Sequence, residues 1–109
     1  MQLWTALKTS AAGMLCSILG GYCNLAVERA NGGSMPAIVA GCSTRIDAMH
    51  VCATSTTRLA GLSDWILFFG WLYSPGDVLL FVGQCLTILA VIFVLWVMYP
   101  CVPKKPSHW

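Results

Sequence analysis

The chain has 109 residues, 58% of them hydrophobic and only 9% charged, with a mean hydropathy of +0.75. Soluble domains carry roughly a quarter charged residues, so this is the balance of an integral membrane protein, with room for a few spanning elements and one loop region but not for an additional soluble domain. The formal net charge of +2, with no Lys/Arg run interleaved with stacking aromatics, sets nucleic acid aside as a partner.

The first element is the stretch LWTALKTSAAGMLCSILGGYCNLAV, read as a transmembrane helix over residues 9–27. Lys8 snorkels to the headgroups at one end, and Glu28 and Arg29 mark the other. The rival reading is a secretory signal peptide, since a lone basic residue followed by an apolar run is how one begins. Gly20-Gly21-Tyr22-Cys23-Asn24, however, makes a poor small-residue cleavage site. Gly13, Ser17 and Gly21 recur every four residues, beside a second stripe of Ala12, Cys16, Gly20 and Asn24. Small residues let helix backbones approach in lipid, and Ser or Asn can hydrogen-bond across the contact. A helix-packing interface is therefore expected at Gly13, Ser17, Gly20, Gly21 and Asn24. The bland alternative is that glycine is simply commoner in membrane helices. The partner of this face is either the second span or another chain.

Residues 28–75 form a long connecting surface segment. Asn31-Gly32-Gly33 reads as a tight turn, Ser34 as a helix N-cap and Pro36 as a first-turn residue. A short helix is thus predicted from Met35 to about Cys52, weakened by Gly41 and the Ser43-Thr44 pair. WILFFGWLY, residues 65–73, is too short to span as a helix. Its two Trp and one Tyr suggest an aromatic segment lying in the membrane interface or folded against the bundle. Basic residues are denser in the tails (Lys8, Lys104, Lys105) than along the connection (Arg29, Arg45, Arg58), which leans the topology toward both termini inside. The connection then faces an outer, oxidising compartment, where Cys42 and Cys52 become a candidate disulfide. Cys16, Cys23 and Cys85 fall within spans and are expected to behave as small apolar residues.

The second transmembrane helix is read over residues 76–99. Its apolar run from Val78 to Tyr99 is 22 residues, roughly 33 Å at the rise of an α-helix and close to the thickness of a bilayer core. Pro100 and Pro103 end it, and Lys104 and Lys105 follow in a polar tail, 100–109. Ser74-Pro75-Gly76-Asp77 predicts the helix start: Ser as N-cap, Pro at N1, and an acid at N3 reaching back to the cap's backbone N–H. The Asp77 carboxylate also complements the helix dipole. A proton relay would instead want an acid near mid-span with partners, and this helix offers only Gln84 and Thr87.

The sequence carries no C-x-x-C, H-E-x-x-H, G-x-S-x-G or P-loop, and His50-Val51-Cys52 with Cys42 matches no common zinc spacing. No catalytic residue, metal or cofactor is expected. His50 and His108 are the only imidazoles, and neither lies in a predicted span. The expected fold is an all-α integral membrane protein, a single domain of two transmembrane helices joined by a long loop with a short helix and an interfacial aromatic segment.

Three pieces in order, ANGGSMPA (30–37), TTRLAGLSDWI (56–66) and YSPGDVLLFVG (73–83), resemble a bacterial membrane protein family known as domain of unknown function 5317. The resemblance covers roughly residues 20–90 and is specific as a set. His50 also falls where members often have a histidine. Members tend to be longer at the N-terminus with further membrane helices. Ser34 and Ser63 stand here where a basic residue and a glycine are usual. The resemblance carries no activity. It implies that Asn31, Met35, Pro36, Arg58, Asp64, Ser74 and Asp77 belong to one structural unit at the surface of a bacterial cytoplasmic membrane. Within that unit, Arg58 is expected to pair with Asp64 or Asp77.

If those further helices are missing here, the small-residue stripe at Gly13, Ser17 and Gly21 is left without an internal partner, and another protein would supply it. The expectation is therefore a non-enzymatic accessory subunit of a larger membrane complex, of the kind found around respiratory or photosynthetic assemblies. Its partners would be membrane lipids and other integral membrane subunits. The alternatives are a self-associating pore or holin-like protein, and a binder of a lipid, quinone or pigment.

Overall fold

The computed structural model describes residues 2–101 and Ser107. Pro103, Lys104, Lys105 and His108, and with them the expected basic tail, lie outside the described residues. Two long helices, α1 (Gln2–Ala30) and α2 (Pro75–Met98), pack antiparallel and carry a small head between them in sequence. Both are long and apolar enough to cross a membrane.

The contact between the helices is a seam of small residues. On α1 the buried positions are Ala6, Gly13, Gly20 and Val27; on α2 they are Gly76, Gly83 and Ala90. Both rows step by seven, and they run in opposite directions, so that Gly13 meets Gly83, Gly20 meets Gly76, and Ala6 and Ala90 lie side by side. A seven-residue repeat keeps one face of each helix turned to its neighbour along its whole length. A Cβ at Gly13 would lie 2.6 Å from the Gly83 carbonyl oxygen and from Thr87 Oγ1, so the backbones are in direct contact.

This corrects two expectations. The seam has period seven rather than four: Gly13, Gly20, Ser17 and Asn24 are at the contact, but Gly21 faces open space. The stripe also has its partner within the chain, and that partner is α2. The register also sets how far the two helices overlap. With Gly20 opposite Gly76, the last ten or so residues of α1 run past the start of α2, about 15 Å at the helical rise. The part of α1 level with α2 therefore runs from about Gly20 back toward Gln2. Lys8 is exposed, with its amine 5.5 Å from the Trp4 ring centroid.

The overhanging end of α1 closes with a Schellman turn, the Gly33 N–H donating to the Glu28 carbonyl at 2.7 Å with Gly32 at φ +74°. The expected helix over Met35–Cys52 is absent, and the fold is not all-α. Residues Met35–Ala37 form β1, and His50–Cys52 form β2, paired parallel and in register. A parallel pair needs a connection of about a dozen residues. Residues 38–49 supply it, cross-linked at its base by a Cys42–Cys52 disulfide with Cα atoms 5.7 Å apart. The other edge of β1 is covered by Asp64, whose N–H donates to the Pro36 carbonyl and whose carbonyl accepts from the Ile38 N–H. Residues 65–73, the expected aromatic segment, fold as an antiparallel hairpin of β3 (Ile66–Phe68) and β4 (Trp71–Tyr73) that leads straight into α2.

Candidate functional site

The polar residues of the three motifs gather where the head meets the helix pair. The start of α2 is the capping box that its spacing predicts. Ser74 Oγ accepts from the Asp77 N–H at 3.0 Å, Asp77 Oδ2 accepts from the Ser74 N–H at 3.0 Å, and Pro75 occupies the first turn. The sequence does not announce that α1 reads this cap. Asn24 Nδ2 donates to Asp77 Oδ1 at 2.8 Å, and Asn24 Oδ1 accepts from Ser74 Oγ at 2.7 Å. Gly76 makes room, because any Cβ there would strike the Asn24 amide. Ser74 is fully buried; its hydroxyl both donates and accepts, so nothing polar is stranded.

One heptad further along, Asn31 repeats the device on the head. Its Oδ1 accepts from the Arg58 N–H at 2.9 Å and its Nδ2 donates to the carbonyls of Arg58 and Val27, each at 2.8 Å. The amide thus pairs with the backbone of Arg58 as a neighbouring strand would. The Arg58 side chain is exposed and forms no ion pair among the described residues, so the expected pairing with Asp64 or Asp77 does not occur. The arginine that organises the head is Arg45. Its guanidinium donates to the carbonyls of Asp47 and Ala48 at 2.7 and 2.8 Å and to Ser34 Oγ at 3.0 Å, closing the disulfide loop back on the head. Ser34 is buried as the acceptor of this bond and does not cap a helix.

The remaining polar cluster is a row of Asp47, His50 and Asp64. His50 Nδ1 lies 2.9 Å from both Asp47 oxygens, and Nε2 lies 3.4 Å from Asp64 Oδ2. Asp47 Oδ1 also accepts the N–H groups of Met49 and His50, so the loop that precedes β2 is wrapped around this carboxylate. Asp64 is only 5% exposed, and its Oδ1 has no hydrogen-bond partner among the described residues. Burial pushes the Asp64 carboxyl above its ordinary value, and the nearby Asp77 charge and, more weakly, Glu28 push the same way against the opposing pull of His50. The Asp47 carboxyl is held below its ordinary value by the His50 hydrogen bond and then by the Met49 N–H. His50 thus stands between the two carboxylates, one ring nitrogen facing Asp47 and the other Asp64.

Of the residues the motifs single out, Ser74 and Asp77 meet at Asn24, Asn31 meets the backbone of Arg58, and Asp64 meets the β1 residue Pro36, next to Met35. Met35 and Pro36 are buried in β1, with the Met35 N–H donating to the Met49 carbonyl at 2.9 Å. Sequence reasoning missed Arg45 and Asp47. Asp47 carried a local signal, an acid three residues before His50. Among the described residues no group of three or more His, Cys, Asp or Glu could hold a metal ion. Shallow apolar grooves, two of them about 450 Å³, flank the seam and are lined by residues of the two helices.

A family model described as "Family of unknown function (DUF5317)" matches residues 1–89. No curated protein and no solved structure matches the chain.

Proposed function

We propose, from the premise that the chain belongs to DUF5317, a family of unknown function, that it is a non-enzymatic accessory subunit of a larger assembly in the bacterial cytoplasmic membrane. In this reading α1 and α2 cross the bilayer as one unit and hold the disulfide-stapled head on the outer, oxidising side, with both termini inside. One observation carries it. The polar groups of the motif residues Asn31, Ser74 and Asp77, and of Asn24 on α1, are occupied in fastening the helices and the head to one another. The outward faces, by contrast, carry large exposed apolar side chains such as Leu15, Ile18, Tyr22, Ile92 and Trp96. A scaffold whose two helices and head are fastened by these bonds and whose exterior is apolar suits a subunit that packs among lipids and neighbouring helices.

Purification in mild detergent followed by mass spectrometry of native complexes tests this reading. Foreign membrane subunits in fixed stoichiometry are the expected result. A ladder of self-oligomers without them would replace it with the self-associating alternative.

A further inference from the structure

The hairpin that precedes α2 turns through Phe69-Gly70, both with positive φ, +48° and +78°. Two-residue hairpin loops with two left-handed residues are normally built from Asn-Gly or Gly-Gly, because a bulky side chain in that region crowds its own backbone. Here a phenylalanine accepts the crowding, and at 87% it is the most exposed large apolar residue described. Its ring makes an edge-to-face contact with Phe68 at 4.5 Å between centroids, so the tip presents two aromatic rings.

Ile66 and Leu72 are half-buried, but the strands beside the tip are otherwise open. Phe68 and Trp71 oppose each other on one face at 61% and 71% exposure, and Leu67 stands on the other face at 70%. No residue from Trp65 to Tyr73 is charged. A two-stranded hairpin is marginal in water unless something packs on it. A protein partner would cover one face; apolar exposure on both faces and at the tip calls for a surrounding medium. The base of the hairpin is pinned at the helix start, with the Trp65 N–H donating to the Tyr73 carbonyl at 3.2 Å and Tyr73 immediately preceding the N-cap Ser74.

We propose that the hairpin is a membrane wedge: Phe69, Phe68 and Trp71 enter the boundary between headgroups and acyl chains of the leaflet in which α2 begins, and anchor the head flat against the bilayer. Trp and Tyr favour this depth, where one part of the ring is apolar and the other wet. The inference rests on the two-span reading above.

The test uses the full chain in vesicles of phosphatidylethanolamine and phosphatidylglycerol, with and without lipids brominated on the acyl chain near the headgroup. Two single-tryptophan forms are compared, one keeping Trp71 and one keeping Trp96, with the other tryptophans changed to Phe. Bromolipid quenching of both is expected. In the Trp71 form, Phe69→Asn relaxes the turn, leaves the melting temperature in detergent unchanged or higher, and removes most of that quenching. Quenching of Trp96 with none of Trp71 overturns the wedge while leaving the spans intact. That holds whether Trp71 is then open to aqueous iodide or shielded from it by a second copy or another protein. Absence of quenching at both positions overturns the two-span reading itself.

Discussion

Asn24 and Asn31 do the same work seven residues apart, one fastening the α2 cap and the other fastening the backbone of Arg58. Replacing Asn31 by Ala removes both bonds to the exposed Arg58 backbone, a loss of about 0.5–1.5 kcal/mol that lowers the melting temperature in detergent. Arg58→Ala is expected to be close to neutral in the same assay, because only backbone atoms of Arg58 take part. Ser74→Ala removes the N-cap and strands Asn24 Oδ1, and should cost about 1–2 kcal/mol. The Asp64 carboxyl supplies a pH dependence. Its folded value is raised, so the folded state holds that proton more tightly than the unfolded chain does. The stability it contributes is therefore complete below the ordinary carboxylate value of about 3.9 and is lost as pH rises through the folded value. Asp47 works in the opposite sense, its contribution being lost as pH falls below the ordinary range. Melting curves across this window should show the Asp64 slope in the wild type and its absence in Asp64→Asn.

The helices differ in how far their sequences disclose them. Ser74-Pro75-Gly76-Asp77 is a local signal, and the structure forms the box it spells. The stripe on α1 is not local, because small residues occur at spacings of both four and seven, and only the matching row Gly76, Gly83 and Ala90 on α2 selects seven. Gly13→Leu or Gly83→Leu should force the backbones apart and destabilise the pair by about 1–3 kcal/mol or more. Gly21→Leu, which meets open space, should leave stability unchanged. Ser34 and Pro36 carry cap-like signals and suggest a helix. The disulfide and the Arg45 fork favour a looped parallel pair instead, and neither shows in a local pattern. Reduction of Cys42–Cys52 should lower stability by about 2–4 kcal/mol, the usual range for such a cross-link, and a fall in melting temperature on adding reductant checks it.

At the scale of the whole molecule, composition discloses two helices long and apolar enough to cross a membrane, and the resemblance of three short pieces discloses the family. The Asp47–His50–Asp64 row stayed hidden because its members come from a loop, a strand and a bridge that only the folded head brings side by side. If the head faces the outer compartment, a membrane-impermeant maleimide applied to intact cells should label Cys42 and Cys52 only after reduction; no labelling of either after reduction, with labelling restored in lysed cells, would place the head inside. The seam has a mechanical consequence of its own. Its slots recur every seven residues, about 10.5 Å of helix, and between them stand side chains too large to pass a bare backbone. One helix cannot slide along the other by a single turn, as a piston would need. The seam therefore fixes how far each helix stands along the other, and with it the height of the head above the pair.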